Sequence, residues 1–234
     1  MKNRLITMVM ALLLASSAMA DTGGNSVYID QTNADQSTVS ITQTGSNNTV
    51  GDPSNVGSPA FVIDGNSMNL LINQDGMNNS IIGNFIGGNS NMTIDQTGNT
   101  NSSAFNMGNM GTGSGNYNLN IGGSNNASVL NIGTSHDAGN YNFLTTITGD
   151  SNSLTNNINS KRTDNKFTVT GGSNAITTTQ IGNNGTVSTV GHNITTSVIG
   201  NSNTLNINQD GVTNPNSVTV NVTGSNTTTN ITQH

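Results

Sequence analysis

Several short stretches of the chain alternate strictly between apolar and polar residues and then reach a glycine. In the first of them, Val39, Ile41 and Gln43 share one parity and Gly45 follows. Such alternation over about five positions is typical of a β-strand with one buried face. No stretch of useful length shows the 3.6-residue period of an amphipathic helix. The pattern predicts an inward-facing core of ten residues: Val39, Ile41, Leu70, Ile72, Ile94, Leu205, Ile207, Val218, Val220 and Val222.

A glycine followed three residues later by an asparagine separates these strands. Glycine and asparagine suit tight turns because both accept positive φ angles at low cost. The pair recurs at intervals near one, two or three times about 11 residues, which indicates an internal repeat. Its occurrences begin at Gly45, Gly76, Gly88, Gly98, Gly113, Gly123, Gly149, Gly171, Gly200 and Gly211.

The repeat unit is therefore a strand, a tight turn and a second strand. Two repeats make one rung of about 22 residues, and successive rungs stack about 4.8 Å apart. The sequence predicts an all-β fold. Specifically, it predicts a β-solenoid of stacked strand-turn-strand rungs in a cross-β arrangement, with about nine or ten rungs.

The amino-acid composition fits such a stack better than a disordered chain. Charged residues make up 7%, aromatic residues 3% and asparagine roughly a fifth of the sequence, whereas disordered segments carry much charge and proline. In a stack each side chain lies above its equivalent, so charges repel while Asn and Gln pass amide hydrogen bonds along the column. The chain has no cysteine, so backbone and amide hydrogen bonds must stabilise it without disulfides.

The first twenty residues read as a signal peptide. Lys2 and Arg4 precede an apolar run over residues 5–15, and Ala18 and Ala20 supply the small residues of a cleavage site after Ala20. The run is too short for a bilayer span, and no other stretch is apolar enough for one. We therefore expect a bacterial protein that is secreted through the periplasm to the cell surface or the extracellular space, without a transmembrane segment in the mature chain.

The repeats divide the rest of the chain into two parts. Residues 21–65 form an N-terminal segment with the first, irregular repeats, and residues 66–234 carry the regular solenoid repeats. Once Lys2 and Arg4 are removed, three basic residues remain against eleven acidic ones, a net charge of −8. Phosphate binding needs a distributed basic surface, so this balance argues against a nucleic-acid partner.

One hexapeptide carries a family resemblance. The pattern Gln-x-Gly-x-x-Asn, with an apolar residue two positions later, resembles the repeat of curlins, the subunits of bacterial curli amyloid fibres. It stands here as QTGSNN, QDGMNN, QTGNTN and QDGVTN. The ladder and turn residues that it implies are Gln43, Gly45, Asn48, Gln74, Gly76, Asn79, Gln96, Gly98, Asn101, Gln209, Gly211 and Asn214.

The resemblance implies a secreted structural subunit of a curli-like fibre that self-assembles by rung stacking and serves adhesion and the biofilm matrix. It also implies a nucleator subunit and an outer-membrane secretion pore as partners. The chain departs from the family in three ways. The second Gln of each repeat is mostly missing, although Gln180 and Gln233 fit as remnants. Rung lengths vary around residues 53–59 and 135–139. A basic cluster, Lys161, Arg162 and Lys166, interrupts the neutral pattern.

No catalytic or cofactor-binding pattern emerges from the sequence. His136, His192 and His234 lie in different repeats, and we expect them to face solvent in turns. The acidic residues do not form the dense Gly-Gly-x-Gly-x-Asp array of calcium-binding β-rolls. A polysaccharide-cleaving β-helix would need clustered acids and bases on one face. We therefore expect neither an enzyme nor a metal or cofactor site.

Three readings of the function remain open at this point. The first is the fibre subunit, for which the final repeat, residues 221–233, supplies an uncapped rung that can stack. The second is a non-amyloid β-helical surface adhesin or a phage fibre segment, which predicts a cap or a trimerising coiled coil. The third is an ice-binding solenoid, which needs a regular Thr-x-Thr ladder. Thr42/Thr44 and Thr177/Thr179 occur, but they do not recur in register.

Overall fold

The structure is a computed structural model that describes residues 13–15, 23–52, 60–107, 115–116, 118–132, 141–160, 164–182, 192–211 and 216–234. Every regular element in these ranges is a β-strand, and the strands form two sheets. Sheet A contains β1 (Leu13–Ala15), β4 (Thr38–Ser46), β7 (Asn69–Met77), β9 (Ser90–Asn99), β11 (Gly115–Asn116), β12 (Leu119–Ile121), β14 (Tyr141–Thr148), β16 (Asp164–Thr170), β18 (Asn193–Ile199) and β20 (Ser217–Thr223).

Sheet B contains the strands between those of sheet A. They are β2 (Ser26–Val27), β3 (Ile29–Thr32), β5 (Thr49–Val50), β6 (Phe61–Asp64), β8 (Ser80–Ile86), β10 (Ser102–Met107), β13 (Ala127–Ile132), β15 (Ser153–Ser160), β17 (Ala175–Gly182), β19 (Thr204–Gly211) and β21 (Thr228–Gln233). The chain passes alternately from one sheet to the other. Each strand pairs in parallel with the strands one rung before and after it, so the predicted β-solenoid is confirmed.

The rungs differ in length. A step of 22 residues separates Leu70 from its partner Met92, and a step of 31 separates Val39 from Leu70. All the steps in sheet B lie between these limits. The predicted 22 residues are therefore the shortest rung, and longer rungs carry insertions outside the paired strands.

The two corners of a rung behave differently. The corner that leads from sheet A to sheet B keeps a constant Gly-x-x-Asn length, as in Gly98 to Asn101, and we call it the ladder corner. The corner that leads back to sheet A, which we call the variable corner, takes three residues between β8 and β9 but ten between β17 and β18. A further insertion, residues 51–60, separates β5 from β6. The prolines noted at 53–59 lie within it, outside the described residues.

The core is a narrow double layer between the sheets. All ten predicted core residues are buried, each exposing 8% of its surface or less. One position in the core is filled in an unusual way: Gly83 lies between Phe61 and Phe105 in the same column of sheet B. The two rings meet across it, edge to face, with centroids 6.4 Å apart. Two bulky rings therefore fit in a column spaced for smaller side chains.

The glycine at each ladder corner is required by the stack itself. Gly98 has φ +102°, and a Cβ atom there would lie 1.9 Å from the carbonyl oxygen of Gly123 in the next rung. Gly88, at a variable corner, has its nearest neighbour atom 3.6 Å from the equivalent Cβ position. The two glycines therefore differ in cause: Gly98 holds rungs at their spacing, whereas Gly88 has room for a side chain.

We predict that Gly98→Ala lowers the free energy of unfolding by more than about 2 kcal/mol, because the rungs must part and the residue is held at positive φ. Gly88→Ala is the matched control and should change it by less than about 1 kcal/mol. Denaturant unfolding followed by far-ultraviolet circular dichroism measures both. Equal effects at the two positions would contradict the column constraint.

Candidate assembly interface

The ladder corners align into two regular columns. The first is a column of glycines: Gly45, Gly76, Gly98, Gly123, Gly149, Gly171, Gly200 and Gly224. Two residues after each glycine comes a residue with φ between 55° and 60°, in the left-handed region. Because that residue is Asn, Ser or Thr, all short and polar, the corner is tight and repeats without change from rung to rung.

The second column is a ladder of asparagines, the residue that ends each corner. Its members are Asn25, Asn48, Asn79, Asn101, Asn126, Asn152, Asn174 and Asn203. All but the first are almost fully buried. The ladder stops at Thr227, whose backbone N–H still donates to Asn203 Oδ1 at 3.0 Å.

Asn126 shows the hydrogen bonds that repeat along the ladder. Its Oδ1 accepts the backbone N–H of Asn152 at 2.9 Å and the Nδ2 of Asn152 at 3.1 Å. Its own Nδ2 lies 3.1 Å from Asn101 Oδ1 and 2.8 Å from the carbonyl oxygens of both Gly122 and Gly149. Each asparagine therefore ties its own corner to the rung before and to the rung after. Buried amides bonded in this way stabilise the stack without charge.

Two glutamine ladders lie in the core, and they lie in different sheets. In sheet A, Gln43 Nε2 donates to Gln74 Oε1 at 2.7 Å, and Gln74 donates to Gln96 at 3.4 Å. In sheet B, the remnant glutamines noted in the sequence join Gln209: Gln180 Nε2 donates to Gln209 Oε1 at 3.0 Å, and Gln209 donates to Gln233 at 3.1 Å. Each ladder therefore covers three rungs.

The fourth hexapeptide thus differs from the other three. QTGSNN, QDGMNN and QTGNTN stack at the ladder corner of sheet A, whereas Gln209 and Gly211 lie at the end of β19 in sheet B. Asn214 lies outside the described residues. Asn91 and Asn116, which end two further Gly-x-x-Asn pairs, follow variable corners and face outward. The 11-residue spacing therefore combined two kinds of corner.

Both glutamine ladders also contact the facing sheet in the same way. Gln43 Nε2 lies 3.3 Å from the carbonyl oxygen of Ser26, the residue before the first inner position of β2. Gln209 Nε2 lies 3.2 Å from the carbonyl oxygen of Asn193, the residue before the first inner position of β18. The two sites are thus related by an approximate half-turn about the axis of the stack.

A polar cluster interrupts the apolar core in the later rungs, where sequence reasoning expected none. Asn156, Asn165, Thr178 and Thr196 face inward and are almost fully buried. Thr178 Oγ1 donates to Asn156 Oδ1 at 2.7 Å, and Asn165 Nδ2 donates to the same oxygen at 3.4 Å. Their inward parity relative to Phe167 and Ile176 was the available signal. Such residues weaken hydrophobic burial locally, which the hydrogen bonds only partly offset.

One histidine prediction was wrong. His192 is fully buried at a variable corner rather than facing solvent, and its Nδ1 accepts the backbone N–H of Asn216 at 3.0 Å. It occupies the inner position just before β18, so it acts as a corner residue in the same way as a ladder asparagine. His234 is exposed, and His136 lies outside the described residues.

The outer faces of the sheets carry further ladders but few charges. On sheet B, Asn106 donates to Asn131 at 2.8 Å, and Asn131 donates to Asn157 at 2.9 Å. On sheet A, the carboxylate of Asp95 accepts amide hydrogen bonds from Asn73 at 2.9 Å and Asn120 at 3.1 Å. A single acid between two amides avoids the repulsion that stacked acids would bring.

The two ends of the solenoid are chemically different from its middle. The inner columns continue to both ends, where Val27 and Ile29 at one end and Ile231 at the other are only partly buried while packing on the core. Within the described chain, β20 and β21 each have a neighbour on one side only, as do β2 and β3. In sheet A the strand beside β4 is β1, which lies in the predicted signal peptide.

Comparisons with known proteins give no identification. No protein-family model matches the chain, and no curated protein or solved structure matches it. The resemblance to curlins therefore rests on the hexapeptide motif. In the described ranges, no three His, Asp or Glu side chains lie close enough to hold a metal ion. No helix within the same ranges is long and apolar enough to cross a membrane.

We predict that Asn126→Ala lowers the free energy of unfolding by about 3 kcal/mol, because it leaves buried corner groups of two neighbouring rungs without partners. Asn106→Ala, which removes a member of the exposed ladder on sheet B, is the matched control and should cost less than about 1 kcal/mol. Denaturant midpoints measure both variants. A control as damaging as Asn126→Ala would show that burial of the ladder does not matter.

Proposed function

We propose that the chain is the structural subunit of an extracellular fibre that grows when copies of the solenoid stack end to end. The observation that carries this proposal is the pair of open end rungs, where Val27, Ile29 and Ile231 continue the core columns and remain partly buried. A second copy placed on either end would finish their burial. Apolar surface of this kind, bounded by unpaired strand edges, favours association.

The chemistry of the joint would be the chemistry of the interior. Each internal step already joins neighbouring rungs by parallel backbone pairing, apolar columns and neutral amide ladders. These features do not depend on which copy supplies the next rung. A solenoid whose end rungs match its middle in this way therefore resembles one segment of a longer stack.

The sequence supports the extracellular part of the proposal. A basic start, an apolar run over residues 5–15 and a small-residue cleavage site predict export. The absence of cysteine and the abundance of neutral amides suit a stack that is stable outside the cell without disulfides. By the resemblance to curlins, a secretion pore and a nucleating subunit are the expected partners.

The direct test is electron microscopy and fibre diffraction of the exported protein, purified from cells that express the full sequence. We expect unbranched fibres and a reflection at about 4.7–4.8 Å along the fibre axis. A β-rich protein that stays monomeric at high concentration, with or without added fibre seeds, would overturn the proposal.

We predict that lysine at either end rung stops growth while the monomer still folds. Ile29→Lys blocks one end and Ile231→Lys blocks the other, because an ammonium group would be buried in the joint but reaches solvent in the free monomer. Neither variant alone should form fibres. Mixed in equal amounts, they retain one intact pair of ends and should form dimers and nothing longer. Analytical ultracentrifugation measures these sizes.

The controls lie on the same strands and point outward. Tyr28→Lys and Asn230→Lys place the same charge next to the blocked positions but outside the core, and both should still form fibres. If each lysine variant at the inner positions dimerises without the other, like ends join like ends. That result would contradict head-to-tail growth.

A further inference from the structure

The number of strand layers in the predicted mature chain is odd. Sheet B contributes nine layers, with β2 and β3 forming the first, and sheet A contributes eight once β1 is removed with residues 1–20. The chain therefore begins with a layer of sheet B and also ends with one, β21. An odd count constrains how a second copy can continue both sheets.

Stacking by simple translation leaves a gap. If β21 of one copy pairs with β2 and β3 of the next, sheet B continues. In sheet A, however, β20 then faces β4 across a missing layer, the one that β1 fills beside β4 in the full chain. Two strand edges would lie within the joint with unpaired N–H and C=O groups, and each such group is costly when it is removed from water.

A half-turn about the fibre axis removes the gap. It places β2 and β3 of the next copy on β20, and β4 on β21, so both sheets continue with no missing layer. The inner residues then pair as Val218 with Val27, Val220 with Ile29 and Val222 with Gln31 on one side. On the other side they pair as Thr229 with Val39, Ile231 with Ile41 and Gln233 with Gln43.

The glutamine ladders support the same arrangement independently. One ladder ends in sheet B at Gln233, and the other starts in sheet A at Gln43, at opposite ends of the solenoid. The half-turn brings these two residues into one column and joins the ladders into one of six glutamines. The direction also agrees, because in both ladders Nε2 of the earlier rung donates to Oε1 of the later one. Gln233 therefore has a donor where Gln43 has an acceptor.

The rung itself permits this exchange of sheets. Gln43 and Gln209 each contact the carbonyl oxygen of the residue that precedes the first inner position of the facing strand. A half-turn therefore carries one glutamine site onto the other, together with the direction of its strand. We propose that successive subunits in the fibre are related by a half-turn about the axis combined with a translation, so that sheet A and sheet B alternate along each side. This inference rests on the proposed function and on cleavage after Ala20.

Disulfide cross-linking tests the rotation, since the native chain has no cysteine. Adjacent residues on parallel strands lie about 4.8 Å apart, within the Cα range that a disulfide spans. Two double variants share Tyr28→Cys and differ in the second site, which is Thr219→Cys or Asn230→Cys. The half-turn places residue 28 beside residue 219 of the next copy, whereas translation places it beside residue 230. All three side chains point outward.

Fibres are grown under reducing conditions, oxidised and run on a non-reducing gel. We expect a shift from monomer to a ladder of covalent multimers for the 28/219 pair and none for the 28/230 pair. A third variant, Ser40→Cys with Asn230→Cys, should also give the ladder, because the half-turn brings β4 onto β21. The mass of the fibre subunit, measured by mass spectrometry, should correspond to residues 21–234.

The outcomes separate this inference from the proposed function. Fibres in which only the 28/230 pair cross-links, or in which the subunit retains residues 1–20, overturn the half-turn but leave the fibre subunit intact. A wild-type chain that forms no fibres overturns the proposed function and this inference with it. If fibres form but none of the pairs cross-links, the end rungs do not meet and the half-turn is also wrong.

Discussion

The stacking of equivalent residues about 4.8 Å apart is the constraint on which the rest of the structure depends. Every side chain in a column must tolerate a close copy of itself. Glycine alone fits the ladder corner, because any Cβ at Gly98 would meet the backbone of the next rung. Neutral amides suit the buried corner position because they donate and accept along the column. The low share of charged residues, 7%, follows from the same spacing.

The constraint explains why much of the fold could be predicted from the sequence. A strand with one buried face leaves a two-residue period, and every residue assigned to the core by that period is buried. The tight corner leaves a glycine and an asparagine at fixed spacing, and Gln43, Gln74 and Gln96 stack in the order in which their hexapeptides recur. Local chemistry and long-range pairing agree at these positions because each rung repeats the same local problem.

What could not be predicted has one main cause, the near equivalence of the two halves of a rung. Both sheets use the same alternation, and both glutamine ladders contact the facing strand in the same way. The sequence around Gln209 therefore looks like that around Gln74 although the two lie in opposite sheets. The burial of His192 and the inward Asn165 were missed for another reason. A polar residue in a core column is visible only once the register of its strand is known.

The same equivalence bears on how a stack can continue past the end of a chain. If the two halves of a rung were chemically distinct, only an even number of strand layers could repeat without a defect at each joint. Because the halves are alike at their glutamine sites, a chain with an odd number of layers can also continue, provided that the next copy is turned. Variation is tolerated where this matching is not needed. The variable corners absorb from three to ten residues without disturbing any column, and the basic residues Lys161 and Arg162 fall at one of them. Contacts that differ from one such protein to another are therefore expected along that edge, while the ladder corners stay fixed by the stack.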